Sequence, residues 1–388
     1  MTMLDRRRFL TTAACSLAAS PLVTPVAFAA LPSDHRLVVV ILRGGMDGLD
    51  VLQPYGDPGL AALRPGFEIG PGAGAMDLTG FHAMHPGLAD LAPLWRAGEL
   101  GFAQAVSTPY RDGRSHFDGQ DILEAGTAGD VPSLTRRDGW LNRLLSVLPG
   151  AEGRTAFAIG RDDMLLLRGT APHAAWVPDA RLEMEAATRD LLMHVYHDDP
   201  LFRDKAAEAL LLSAQGPAVK VGRGDTVEAL FGFAATQLAG ESRIAAMSLS
   251  GWDTHRGQPR QLSRALQRLS QGILTLRDGL GPAWSRTTVL AMTEFGRTAR
   301  ENGTNGTDHG TGGTLIAAGG AIAGGQVWGA WPGLGEADLL DRRDLMPLRD
   351  VRAYAAWALH GLYGVDRRVL STLVFPGLEM GRDPGLLG

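Results

Sequence analysis

The chain predicts an α/β fold built on a mainly parallel sheet flanked by helices. Three observations carry this reading: continuous apolar runs rich in β-branched residues, amphipathic helical patterns between them, and Gly- and Asp-rich turns where the runs end. An apolar run of this kind suits a strand buried on both faces, and strands alternating with helices build parallel sheets.

Residues 36–42 (RLVVVIL) form the first strand, and Gly44-Gly45-Met46-Asp47-Gly48 follows at its carboxyl end. Residues 86–97 read as a helix with Leu88, Leu91, Leu94 and Trp95 on one face. Residues 101–106 make a second strand and 115–124 a helix. From 139 to 240 helical patterns alternate with Gly and Pro breaks, clearest over 180–196 and 200–213, so residues 140–240 could form a helical cap. A buried strand over 243–249, a long amphipathic helix over 258–280, strands over 287–293 and 313–318, and a helix over 350–362 complete the series. No repeat or clear linker interrupts it, so one domain is expected over residues 36–388.

Residues 1–29 stand apart. Arg6-Arg7-x-Phe9-Leu10 matches a twin-arginine export signal, a small-residue apolar run follows, and Ala27-Phe28-Ala29 offers a signal peptidase its small-x-small pattern. The run is short and rich in Ala, Ser, Thr and Pro, whereas a bilayer span needs ~20 strongly apolar residues. The expectation is therefore a periplasmic or secreted protein that meets the twin-arginine translocase during export and keeps no stable membrane span after processing. Cys15, the one cysteine, lies in this segment, so the rest of the chain can form no disulfide. The formal charge is −5, and Asp5, Arg6, Arg7 and Arg8 contribute +2 of it, leaving −7 for the remainder. That acidity and the lack of a basic stripe argue against nucleic acid as a partner.

Polar residues gather where the strands end. Asp47 follows the first strand, Asp253 and His255 the strand over 243–249, and Glu294 the strand over 287–293, with Asp308 and His309 soon after. Open parallel sheets bind ligands outside the carboxyl ends of their strands. Carboxylates and imidazoles at that density supply the oxygen and nitrogen donors a divalent transition metal takes. The same residue types have plainer uses, because Asp after a strand caps helices and Asn-Gly forms turns.

The ordered motifs RGGMDGLD, HPGLADLAPLWRAGEL, RSHFDGQDILEAG, GWDTH and MTEFGRTARENGTNGTDHGTGG, ending near VFPGLE at 374–379, resemble the bacterial family called domain of unknown function 1501. That family is grouped with the alkaline phosphatase superfamily and is often labelled sulfatase-like. The resemblance implies hydrolysis or transfer of a small anionic phosphate or sulfate ester with two divalent ions, Zn, Mn or Ca, clamping the ester. It implies Asp47, Asp253, His255, Glu294 and His309 as metal ligands, with Asp308 as a further one. Ser115 is the first candidate for the nucleophile, with Ser107, Thr108 and Asp112 open in the same loop, and Arg43, Arg114, His116 and Arg297 would hold the ester. The chain departs from the superfamily in carrying Glu294-Phe295 where Asp-His is usual, so one histidine ligand is missing unless His116 or Asp308 replaces it. Three functions follow: an exported ester hydrolase, a non-catalytic envelope protein on the same fold, or a phosphomutase-like transferase. Replacing Arg6 and Arg7 by lysine is expected to leave the precursor in the cytoplasm. Normal export of that double variant on cell fractionation would contradict the signal.

Overall fold

The computed structural model describes residues 33–111, 114–128, 138–160, 162–177 and 226–388. Among these, nine strands form one central sheet. They are β1 (Arg36–Arg43), β2 (Leu100–Ser107), β3 (Ala156–Ile159), β4 (Ala174–Trp176), β5 (Ile244–Ser250), β6 (Thr287–Met292), β7 (Gly313–Ala318), β8 (Val327–Trp328) and β9 (Arg349–Asp350). The order across the sheet is β8-β2-β7-β6-β1-β5-β3-β4, with β9 also paired to β2. All pairings are parallel except those of β7, which runs antiparallel to both β6 and β2.

β1 lies inside the sheet, and its alternation divides the core. Leu37, Val39 and Ile41 join the cluster on one face with helices α2 (Trp140–Val147) and α5 (Val351–Tyr363). Val38, Val40 and Leu42 join the cluster on the other face with α3 (Thr226–Ala239) and α4 (Gln258–Leu280). Helices thus cover both faces of a mostly parallel sheet, as the sequence pattern predicts.

Two departures have local causes. The helix expected over 86–97 is a 3₁₀ turn, Pro86–Leu91, followed by a short α-helix, Ala92–Arg96. Pro93 has no N–H to carry one helix through the junction. The stretch 140–240 contributes α2, β3, β4 and α3, so part of it extends the sheet. β3 and β4 have four and three residues, too short to show a period of two. The helices expected over 180–196 and 200–213, Asp112 and the segment 1–29 lie outside the described residues. Among the described residues no helix is long and apolar enough to cross a membrane.

Candidate metal centre

Parallel strands bring the ends of β1, β5, β6 and β2 to one edge of the sheet. The reversed strand β7 begins at that same edge, so the loop entering it delivers Asp308 and His309 to the place where the loop leaving β6 delivers Glu294. The two loops are laced together: Gly296 N–H donates to Thr311 O at 3.0 Å, Gly310 N–H to Gly296 O at 2.9 Å and Thr298 N–H to Asp308 O at 2.9 Å. Glycine is required at 296 because a Cβ there would lie 1.9 Å from Gly312 O. The fifth contributor is α1 (His116–Ala125), which follows β2 and turns His116, Gln120 and Glu124 along one face at a spacing of four.

His116, Asp253 and His309 each place one donor atom within 4.8 Å of the other two. Asp253 Oδ1 lies 3.5 Å from His116 Nε2, 3.3 Å from His309 Nε2 and 3.1 Å from His255 Nε2. The Nε2 atoms of His255 and His309 are 2.9 Å apart. On the far side of each ring, Nδ1 meets an oxygen that can only accept. His116 Nδ1 faces Glu294 Oε1 at 2.7 Å, His255 Nδ1 faces Asp308 Oδ1 at 3.1 Å and His309 Nδ1 faces the Arg114 carbonyl at 2.9 Å. An acceptor-only partner fixes the proton of a neutral imidazole on Nδ1 and leaves the Nε2 lone pair free. Three such lone pairs and a carboxylate oxygen therefore face one another. His116 Nε2 is buried and has no hydrogen-bond partner.

A divalent ion fits this donor set. Metal–ligand distances of about 2.0–2.1 Å give ligand–ligand separations near about 3.4 Å in a tetrahedron, close to the 3.3 and 3.5 Å that Asp253 Oδ1 makes with His309 and His116. Two imidazoles and one carboxylate would leave coordination positions open, the pattern of catalytic rather than structural sites. His255 stands at the margin of the triad, next to Asp253 and His309.

Electrostatics agree with fixed donors. The hydrogen bond to Glu294 holds His116 above the usual histidine range against the opposing effect of burial. Burial, helped by the positive charges of Arg297 and His116, holds His309 below that range. Burial pushes Asp253 up, but the hydrogen bond and charge of Arg297 and the neighbouring His255 outweigh it and keep the carboxyl low. The hydrogen bond from Asn302 does most to hold Asp308 low, with His255 adding to it against burial. Burial likewise works against Glu294, yet hydrogen bonds from His116, Gln120 and the backbone hold it ionised below the ordinary range.

Of the metal ligands expected from sequence, Asp253, His255, Asp308 and His309 meet here, and His116, expected either to hold the ester or to replace the missing histidine ligand, joins them. Asp47 and Glu294 do not offer free oxygens. Asp47 caps the short helix Gly48–Val51 and is gripped by the buried Arg64 through two bonds of 2.9 and 3.1 Å. Glu294 is fully buried and orients His116 from behind. The arginines expected on substrate are also engaged. Arg297 is buried and donates to the carbonyls of Gly45 (2.5 Å), Gly44, Thr307 (3.1 Å) and Trp252 (3.1 Å), and to Asp253 Oδ1 (2.7 Å). Arg43 pairs with Glu124 at 2.7 Å and donates to Gln120 at 2.6 Å. Arg114, in a left-handed backbone conformation, reaches Asp344 at 3.2 Å and remains partly exposed.

Ser115 is the N-cap of α1: its Oγ accepts from Asp118 N–H at 3.4 Å and its own N–H donates to Tyr110 Oη at 3.0 Å. It stands in the chain between Arg114, which holds His309, and His116. The other hydroxyls of the same loop are committed, Ser107 to the Thr108 carbonyl at 2.6 Å and Thr108 to the Glu294 carbonyl at 3.0 Å. Sequence reasoning missed Arg64, Gln258 and Thr307 around Asp47 and gave no place to Gln120. The spacing His116-x3-Gln120-x3-Glu124 could have revealed one helix face, but nothing local marks Arg64 as the partner of Asp47.

Arg297→Met is expected to lower stability to chemical denaturation by about 3–5 kcal/mol, because it leaves buried acceptors unpaired. Wild-type stability in that variant would restore Arg297 as a free substrate contact.

The profile of the family described as "Protein of unknown function (DUF1501)" matches residues 102–384. No curated protein matches the chain. Solved structures similar to it include an alkaline phosphatase superfamily protein from Vibrio parahaemolyticus, at 12% identity and a TM-score of 0.41, covering 93% of this chain and 76% of the other. The zinc complex of the C-terminal periplasmic domain of EptC from Escherichia coli is similar at 10% identity and a TM-score of 0.35, over 74% and 73% of the two chains. A TAB5 alkaline phosphatase mutant with Mg bound is similar at 13% identity and a TM-score of 0.33, over 74% and 91%. The family match spans well over half of the sequence, and this chain belongs to the DUF1501 family.

Proposed function

We propose that the protein is an exported, metal-dependent hydrolase of phosphate or sulfate esters, directed out of the cytoplasm by residues 1–29. One observation supports this reading above the rest: three imidazole Nε2 lone pairs and the Asp253 carboxylate face one another, with His116 Nε2 buried and unpartnered. His116, Asp253 and His309 would hold the ion, and His255 would stand beside it. A divalent ion there supplies a Lewis acid for an ester oxygen and lowers the pKa of a hydroxyl brought to it.

The chain's own groups have separate tasks. Glu294, Asp308 and the Arg114 carbonyl keep each Nδ1 protonated and each ring aimed. Ser115, next in the chain to His116, is the candidate nucleophile, at the N-terminus of the ten-residue helix α1, where the helix dipole favours an oxyanion. Arg114, partly exposed, is the one expected arginine with reach left toward an anion. A non-catalytic role on the same fold draws support from a different observation. The Ser115 hydroxyl is used as a helix cap, and Ser107 and Thr108 are spent on carbonyls.

Metal content and turnover separate these readings. Protein purified without chelator is expected to carry a divalent ion and to cleave an aryl phosphate or aryl sulfate. Ser115→Ala should abolish most turnover while leaving metal content intact. Glu294→Gln should weaken metal binding by about 10–100-fold through the loosened His116. A Ser115→Ala variant that keeps full turnover, at a cost of about 1 kcal/mol in stability, would reduce Ser115 to a cap. A metal-loaded wild type inactive on every ester would favour the non-catalytic role.

A further inference from the structure

The sheet edge carries its own compensation for a second cation. Asp47 is 1% exposed, and four N–H donors reach its two oxygens. Oδ2 accepts from Gln258 at 2.6 Å and Arg64 at 2.9 Å, and Oδ1 from Arg64 at 3.1 Å and the Leu49 N–H at 3.2 Å. Arg64 is equally buried and spends its remaining donors on the carbonyls of Ala299 at 3.0 Å and Thr298 at 2.9 Å. An ion at Asp47 would have to displace this guanidinium and leave a buried cation without its counter-charge. Glu294 is closed in the same way, by Gly44 N–H, His116, Gln120 and Thr293.

Buried cations already face the carboxylates of this edge, Arg64 on Asp47 and Arg297 on Asp253, and Gln258 joins Asp47 to the neighbouring buried Asp50. We propose that the edge binds a single divalent cation, at His116, Asp253 and His309, and that Arg64 permanently supplies at Asp47 the positive charge a second ion would bring. This rests on the metal reading above and departs from the two-ion arrangement that the sequence resemblance implies.

The test is a titration of the metal-free full chain with Zn²⁺ and, separately, Mn²⁺, followed by calorimetry and, for Mn²⁺, electron paramagnetic resonance. The expected result is one equivalent bound, with an uncoupled six-line manganese spectrum. Asp47→Asn should keep that stoichiometry with affinity within about threefold, while Asp253→Asn should weaken it by about 100-fold. A second equivalent of comparable affinity, or an exchange-coupled manganese pair, would overturn the single-ion proposal and leave the metal reading standing. No bound ion of either kind would overturn both. If Asp47→Asn fails to fold, the wild-type stoichiometry and spectrum decide the matter alone.

Discussion

The guanidinium of Arg297 ties together three loops that leave or cross the same sheet edge. It donates to Gly44 and Gly45 after β1, to Trp252 and Asp253 after β5, and to Thr307 in the loop before β7. Burying such a cation is costly, and only full pairing offsets the cost. The carbonyls it gathers would otherwise be unsatisfied or mutually repelling. Gly44 and Gly45 meet it in conformations with φ of +126° and +65°, and a Cβ at Gly44 would lie 2.5 Å from Asp253 N. The double glycine is thus what lets β1's loop come close enough for one side chain to hold both it and Asp253. The geometry of the candidate ligands depends on this stitch, since Asp253 is the atom group all three histidines approach.

Strand direction sets the rest. Had β7 run parallel, the residues preceding it would lie at the opposite edge, away from Asp253. Its reversal puts His309 against the loop of Glu294, where backbone bonds fix it. Around this centre each imidazole has a partner behind it, and the stacked rings of His116 and Phe295, 5.0 Å between centroids, wall one side. Phe295 thus supports His116 and offers no donor atom of its own.

Much of this was legible in the sequence. The runs around residues 36–42, 243–249, 287–293 and 313–318 are strands because apolar β-branched residues buried on both faces leave an unmistakable pattern. Asp253, His255, Asp308 and His309 could be grouped because each follows or precedes such a run closely. The fate of Asp47 could not be read, because its partner Arg64 lies in an unremarkable segment and meets it only through burial. The roles of Arg43 and Arg297 were hidden for the same reason: a sequence shows a charge but not its counter-charge. The strands β3 and β4 escaped because so few residues carry no periodicity.

The central claim is that these side chains form a site for a divalent ion, and crystallography with anomalous scattering tests it most directly. Crystals grown with Zn²⁺ or Mn²⁺, with data collected at the metal's absorption edge, should show an anomalous peak bounded by His116 Nε2, Asp253 Oδ1 and His309 Nε2. An edge without any such peak, or metal bound only at residues remote from these three, would contradict the account.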